Sequence, residues 1–573
     1  YAGSLFTTVA TSLLLSWLLS QTITPLMCIT LLPDPKQDGD SDPYASPFYE
    51  RFRKLLGFAI DKRLLTIASV VGLLVLSISG FGLVPKMYFP DSSRTQFMVD
   101  YWLPQGTRIQ QVSDDLQGIE EELLRQAGVT AVSAFIGSGP PRFYLPVDPE
   151  DSYPSYGQLI VNTETLEDVD RVMAHIYPWA QENRSQALVR VRKYGVGAFD
   201  DWKFEARFSG PAEADPQVLR DIAAQGLAIL EASPYTLESR SDWREKVRKL
   251  VPEYNQERAR WAGVTRDDLA SATKRSYDGV PVGQYREGDD LIPIVVRNPE
   301  NERNQAAAEL DVVQVIPSLS TNSVPVSQVI DDIVIEWEEQ LIWRWDRRRA
   351  ITVQASPAAG VTATALRESV LADFEAIELP PGSTLEWDGE YDSSLESQEA
   401  LLPGIVPTDV IMTFIIVILF NAFRPPIIIF AVIPFVAIGI TFGLLVTQVP
   451  FGFIALLGAM SLSGMMIKNS VVLLDQVNIN ISEGMDRYTA VVEAAVSRLR
   501  PVINAAATTV LGMAPLLQDV FWVSMAVTIM FGLAFGTILT MVLVPVLYAL
   551  LYRLEPPEKA GPVVADAKTA ETI

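Results

Sequence analysis

Cysteine and histidine are all but missing from this chain: Cys28 and His175 are the only examples in 573 residues. A single thiol excludes an internal disulfide. One thiol and one imidazole leave no soft ligand set for a structural or catalytic zinc. Basic residues are scarce beside acidic ones, 45 Lys and Arg against 69 Asp and Glu, for a net charge of −24. Most of that excess lies between residues 88 and 400. Nucleic acid is a poor partner for such a chain, because phosphate binding needs basic stripes. An acidic, solvated surface leaves only a weak bias towards cationic ligands. Catalytic signatures are missing as well, with no G-x-S-x-G, no H-E-x-x-H and no G-x-x-x-x-G-K-[ST]. Carboxylates abound, but their spacing marks no acid–base pair.

What the chain does have is long apolar runs. Seven stand out against the roughly 20 residues that cross a bilayer: Leu5–Met27, Leu64–Val84, Ile405–Phe420, Ile427–Val446, Phe451–Leu474, Val502–Leu517 and Phe521–Leu551. Tyr1 opens almost inside the first of them, which predicts a fragment lacking its N-terminus. The segment 29–63 reads as a linker and carries Lys36, Arg51, Arg53, Lys54, Lys62 and Arg63. Arg424, then Arg487, Arg498 and Arg500, and finally Arg553, Lys559 and Lys568 fall on the same side if all seven runs span. The short connections near 447–450 and 518–519 hold no Lys or Arg. The positive-inside rule makes the basic side cytoplasmic and puts residues 88–400 outside. The tail after Arg553 is rich in Ala, Pro and charge, and predicts disorder.

Lys468 sits near the middle of an apolar stretch, LLGAMSLSGMMIKNSVVLL, from Leu456 to Leu474. Ionising a lysine at that depth costs roughly 2.5–3.5 kcal/mol on insertion scales. Two readings stand: a lysine snorkelling to the membrane surface, or a buried ionisable group in a proton or ion path. Small residues surround it, Gly458 and Gly464 upstream and a G-x-x-x-G at Gly532 and Gly536 in the last run. Such residues let helices approach closely.

Between the apolar flanks the pattern alternates strands and helices. Strand Gln96–Leu103, helix Arg108–Gln126, strand Thr130–Phe135, strand Gln158–Asn162, helix Glu167–Glu182 and strand Leu188–Val191 make a split βαβ unit. A second set runs Lys203–Phe208, Pro216–Glu231 and Thr236–Ser239, then resumes at Ile351–Ala355, Thr362–Ile377 and Thr384–Trp387. Two such sets suggest an internal duplication. Lys246–Arg349 reads as an insertion with helices Asn255–Ala262 and Thr265–Ser276 and a strand pair Val282–Tyr285 and Leu291–Val296. Thr265 and Asp268 resemble a capping box. The loop Gly137–Val147, GSGPPRFYLPV, follows Phe135 and presents Arg142, Phe143 and Tyr144. It is either a tight connection packed on its own domain or a wall of an apolar ligand cleft, to which Phe199, Trp202 and Phe204 would add. Trp343 and Trp345 among Arg344, Arg347 and Arg348 suggest a cation–π cluster or a docking edge.

The blocks SLSGMMIKNSVVLLDQVN from Ser461 and RLRPVINAAATTVLGMAPLL from Arg498 resemble the second-half signature of resistance–nodulation–division (RND) efflux transporters, of the multidrug, amphiphile-exporting branch. LSQTITPLMC resembles the last helix of that family's first half, and FRPPIIIFAVIPFVAIGITFG its eighth and ninth helices. The resemblance covers all but the last twenty residues. It implies a polytopic α-helical membrane protein, seven spans here, with a large periplasmic α+β insertion of ferredoxin-like βαβ subdomains. Residues 1–28 would be the last helix of the first half, 64–87 a further span, 401–552 five more, and 553–573 a cytoplasmic tail. Residues 88–201 would form one porter subdomain, 202–247 with 350–400 a second, and 248–349 a docking subdomain.

The resemblance also implies roles. Lys468 would be the relay lysine and Arg498 its companion arginine, with Thr508 or Thr509 supplying a hydroxyl because Ala505 stands where the family commonly has threonine. The relay aspartates would belong to a helix that this sequence lacks; Asp475, two turns from Lys468, reads as a helix-end residue. Phe135, Arg142, Phe143 and Tyr144 would contact substrate beside the drug pocket. The whole would be the C-terminal half of a proton-driven antiporter in the Gram-negative inner membrane, not an enzyme, with no metal site and no cofactor beyond the proton gradient. It would work as a homotrimer in membrane lipid, with a periplasmic adaptor, an outer-membrane channel and small amphiphilic substrates. Two alternatives remain: a heavy-metal exporter of the same fold, for which methionine clusters are expected but 88–400 holds only Met98 and Met173, or a truncated membrane scaffold that transports nothing.

Overall fold

Apolar length writes the membrane layer. The structure is a computed structural model that describes residues 2–31, 44–197, 202–213, 215–299, 310, 313–318, 320 and 322–554. Lys36, Phe199 and the tail beyond 554, all given roles above, lie outside the described residues. Helix α1 (Ala2–Leu31) precedes α2 (Pro47–Asp61), which turns at Lys62 directly into α3 (Arg63–Phe81). The segment expected to be a plain linker thus contains a 15-residue helix.

The extramembrane part begins with β1 (Gln96–Trp102), α4 (Ile109–Arg125), β2 (Val129–Ile136), β3 (Tyr156–Thr163), α5 (Leu166–Asn183) and β4 (Leu188–Lys193). The sheet order is β2-β3-β1-β4, all antiparallel. Every second residue of β1, Phe97, Val99 and Tyr101, points into a core shared with Val112, Leu116, Ile119 and Leu123 of α4 and Val169, Val172 and Ile176 of α5. That alternation against a 3.6-residue stripe is what the sequence displayed.

The second unit runs β5 (Phe204–Gly210), α6 (Pro216–Ala232), β6 (Thr236–Ser241), then an insertion, then resumes. The insertion contains β7 (Val247–Tyr254), α7 (Gln256–Ala262), α8 (Arg266–Tyr277), β8 (Val280–Glu287), β9 (Asp290–Val296), β10 (Gln314–Val315), β11 (Val324–Pro325), β12 (Ile330–Glu338) and β13 (Arg344–Trp345). The return strand β14 (Arg348–Pro357), α9 (Ala363–Glu375) and β15 (Thr384–Gly389) complete the sheet. Strand β14 lies between β5 and β6, and β15 pairs with the other edge of β5. Counted within each unit, both sheets have the order 4-1-3-2, which supports the duplication. The Thr265–Asp268 capping box is present, with Thr265 N donating to Asp268 Oδ2 at 2.9 Å and Asp268 N to Thr265 Oγ1 at 3.1 Å.

Strand β15 runs without a break into α10 (Glu390–Phe420), 31 residues that carry the chain from the sheet into the membrane layer. At 1.5 Å per residue that helix is about 46 Å long. It is followed by α11 (Arg424–Val432), α12 (Val436–Thr447), α13 (Phe453–Ser482), α14 (Arg487–Met513) and α15 (Val523–Leu551). Among the described residues six helical stretches are long and apolar enough to cross a membrane: α1, α3, α10, α11 with α12, α13 and α15. The seventh expected span, Val502–Leu517, is the distal part of α14 and the short turn after it. The proximal part of α14 carries Arg487, Glu493, Arg498 and Arg500, so the helix as a whole falls short of a membrane stretch.

Glycine permits a close helix contact between α13 and α15. A Cβ on Gly532 of α15 would stand 2.2 Å from Leu462 Cδ2 of α13, and one on Gly536 would stand 2.8 Å from Met466 Sδ. The G-x-x-x-G pair read from sequence is therefore the α13–α15 seam. Gly464, one turn before Lys468, faces open space instead.

Candidate functional site

Lys468 lies on the side of α13 that the rest of the described chain does not cover. Its neighbours Ile467, Asn469 and Ser470 are buried against the bundle, whereas Ser461, Gly464, Lys468 and Asp475 share the open face. Among the described residues Lys468 has no ion pair. Helical spacing explains the split, since positions four and seven apart fall on one face. The other relay candidates lie on α14, with Arg498 nearer the cytoplasmic end than Thr508 and Thr509. Arg498 of α14 donates through Nη2 to Gln476 Oε1 at 2.6 Å, Gln476 Nε2 donates to Asn480 Oδ1 at 2.7 Å, and Asn480 Nδ2 to Ala490 O at 3.0 Å. Thr508 and Thr509 both donate to the carbonyl of Ala505, at 2.9 and 3.0 Å. The structure thus joins Arg498 to α13 through Gln476, and among the described residues it brings neither Arg498 nor the threonines to Lys468.

The loop Gly137–Val147 packs largely on its own domain. Tyr144 packs on its own domain: its hydroxyl donates to Gly195 O at 2.8 Å, and its ring meets Tyr194 edge-on. Arg94 lies 4.8 Å from that ring. Phe143 reaches Tyr194 too, yet stays more than half exposed, and Arg142 pairs with Asp148 at 2.9 Å. Only the end of the loop, Pro146 and Val147, reaches the large cleft. Phe135 is half-buried on β2 and stands outside the cleft wall.

That cleft, about 950 Å³, opens between the two βαβ units. Its wall carries ten carboxylates and seven Lys or Arg. A stacked ladder crosses it. Arg244 lies 4.3 Å from the Trp102 ring, Arg240 lies 4.9 Å from Trp102 and 4.8 Å from Trp202, and Arg190 lies 4.0 Å from Trp202. Trp102 and Arg190 belong to the first sheet; Arg240 and Arg244 come from the end of β6 and the turn after it. That turn is fixed from behind by Trp243, fully buried, whose Nε1 donates to Ala350 O at 2.7 Å. Thr352 N donates to Asp242 Oδ1 at 2.8 Å. Arg244 occupies the left-handed region at φ 54°, a conformation arginine rarely adopts. Its guanidinium donates to Leu103 O at 2.6 Å, and burial pulls it down to about 10. Trp345 adds a further stack, with Arg207 3.7 Å from its ring. Sequence reasoning found Trp202 and Trp345 but missed the ladder, whose members are scattered between residues 102 and 244; the run Ser241-Asp-Trp-Arg244 was its only local sign.

Charge buried behind the cleft wall is paired. Asp100 accepts from Arg192 Nε at 2.6 Å, from Gln158 Nε2 at 2.6 Å and from Tyr156 Oη at 2.8 Å. Burial pushes its carboxyl up, but Arg192 and Arg190 with these hydrogen bonds outweigh burial and hold it below the usual range. Glu238, facing Arg190, goes the other way: burial pushes it up to about 7.

A model of the AcrB/AcrD/AcrF family matches residues 3–552, nearly the entire chain. The chain belongs to that family, the RND permeases. Its members are inner-membrane efflux transporters. The match runs through the whole chain and lends no support to confining it to a C-terminal half. The permease is 26% identical over 348 residues to the cobalt-zinc-cadmium resistance protein CzcA of Cupriavidus metallidurans, covering 59% of this chain and 32% of that protein. It is 26% identical over 306 residues to the nickel and cobalt resistance protein CnrA of the same organism, 51% of this chain and 28% of that protein. In fold it resembles a crystallised heavy metal efflux pump, with a TM-score of 0.73 at 18% identity, over 88% of this chain and 51% of the pump. The chain therefore matches about a third of the length of these curated relatives and about half of the solved pump.

Proposed function

We propose that this chain is the permease part of an envelope efflux system and that its cargo is a heavy-metal cation. The observation that carries the cargo class is the cleft between the two βαβ units, whose wall holds ten acidic against seven basic side chains. The acidic excess on that wall biases it towards cations, although among the described residues no cluster of three or more Asp, Glu, His or Cys forms a ready metal site. The resistance proteins to which the chain is 26% identical are named for cobalt, zinc, cadmium and nickel. This supports the heavy-metal alternative over the drug-exporting branch suggested by the signature blocks.

In this reading Lys468 is the proton-coupled group. An ammonium in the hydrocarbon layer needs a carboxylate partner, and the open face of α13 leaves room for one contributed by a part of the relatives' length that this chain does not match. Exchange of that ion pair for protonation shifts α13 between two positions, and α13 packs on α15 through Gly532 and Gly536. Helix α10, continuous with β15, carries membrane movement to the second sheet as a near-rigid rod. Arg498, bonded to Gln476 of α13, supports the cytoplasmic end of the same pathway, and Thr508 and Thr509 stand further along α14. The working form is a trimer with a periplasmic adaptor and an outer-membrane channel.

Amphiphile export is the second reading, favoured by Trp102, Trp202, Trp343 and Trp345 on the cleft wall. Growth separates the two. Deleting the gene is expected to lower tolerance to cobalt, zinc or cadmium salts and to leave detergents and dyes unaffected. Loss of dye or detergent tolerance with metal tolerance intact would overturn the metal reading.

A further inference from the structure

Helix α2 has two apolar faces, and the bundle covers only one of them. Leu56, Ala59 and Ile60 are buried in the membrane core cluster. On the other side Phe48, Leu55 and Phe58 are 61%, 55% and 58% exposed. These three stand at i, i+7 and i+10, which puts them on one stripe. Arg51 lies within the stripe, and Lys54 and Lys62 border it; all three are exposed, and none has an ion pair among the described residues. Glu50 and Asp61 lie exposed on the flank.

The position of α2 says what covers this face. The chain turns at Lys62 straight into the membrane helix α3, whose first residues Leu64 and Leu65 are exposed in the same way. The open stripe is therefore continuous with the exposed apolar surface of α3, and α3 as a membrane span puts it at headgroup depth. Apolar side chains mixed with Lys and Arg on one face describe a helix lying in the interface, with rings among the acyl chains and cations at the phosphates. The cytoplasmic leaflet is the anionic one, and the basic loops put α2 there.

We infer that α2 is a binding surface for anionic phospholipid headgroups, held by Arg51, Lys54 and Lys62 with Phe48, Leu55 and Phe58 inserted beside them. The surface is tied to the transport machinery. Arg53, on the bundle side, donates through both Nε and Nη2 to Glu493 of α14 at 2.8 Å each. Tyr488 Oη of α14 donates to Asp61 Oδ1 at 3.4 Å. Lipid bound on α2 thus acts on the helix that carries Arg498.

The test is native mass spectrometry of the purified protein equilibrated with equal amounts of phosphatidylglycerol and phosphatidylcholine. The wild type is expected to retain phosphatidylglycerol preferentially. Each cation removed is expected to weaken that preference about fivefold, so Arg51→Gln/Lys54→Gln/Lys62→Gln brings it close to unity. The charge-keeping variant Arg51→Lys/Lys54→Arg is expected to retain it, which separates charge from a folding defect. No preference in the wild type, or an undiminished preference in the triple variant, would overturn the assignment.

Discussion

Arg190 and Glu238 face each other across the seam between the two βαβ units, 3.7 Å apart, and both side chains are almost fully buried. One belongs to β4 and the other to β6, so the pair exists only while the seam is closed. Tyr177 of α5, Ser356 of β14 and Asp100 of β1 surround the same carboxyl.

The pH dependence of the seam follows from this pair. Glu238 is raised from 4.5 to about 7 by burial, so protons favour the folded, closed form. That contribution is complete below pH 4.5 and is lost as pH rises through 7. Asp242, raised by burial from 3.8 to about 6, acts in the same sense over a lower window. Between pH 6 and 7 Glu238 therefore dominates. Glu238→Gln is expected to flatten the thermal stability profile there, as read by differential scanning fluorimetry. A slope equal to that of the wild type would contradict the assignment.

Arg244 ties the ladder to the backbone of the first unit. Arg244→Ala removes its stack on Trp102 and leaves the buried Leu103 carbonyl without its donor. Such a loss costs about 1–3 kcal/mol. Lysine cannot restore it, because the planar guanidinium both stacks and donates. Limited proteolysis is the readout: cleavage between the two units accelerates in Arg244→Ala and in Arg244→Lys, and unchanged rates would refute the role.

The α13–α15 seam gives a paired packing test. Gly532→Ala drives a methyl against Leu462 at 2.2 Å, and overpacking of that kind costs roughly 1–3 kcal/mol. Gly464→Ala meets nothing within 4 Å and is expected to be silent. Thermal unfolding in detergent should separate the two variants by several degrees. Equal stabilities would contradict the seam.

The sheets were legible in the sequence because period-two strands such as β1 and 3.6-period helices such as α4 bury one clean face each. Helix α2 was not legible: Arg51 lies within the stripe of Leu55 and Phe58 and Lys54 borders it, which blurs the apolar period that marks a helix. Lys468 was visible because one charge in a long apolar run needs no partner to be noticed. The stacking of Arg190 and Arg240 on Trp202 was hidden, since chain folding alone brings residues 190, 202 and 240 together. The resemblance put Tyr144 beside a substrate pocket; its contacts to Tyr194 and Gly195 turn it onto its own domain.

Proton-coupled metal export through Lys468 is tested most directly by metal accumulation in cells carrying the full-length gene. Cells with Lys468→Ala, at membrane expression equal to wild type, are expected to accumulate cobalt or zinc as the deletion strain does. Accumulation as low as in wild-type cells would show that export proceeds without this lysine, and would contradict the assignment.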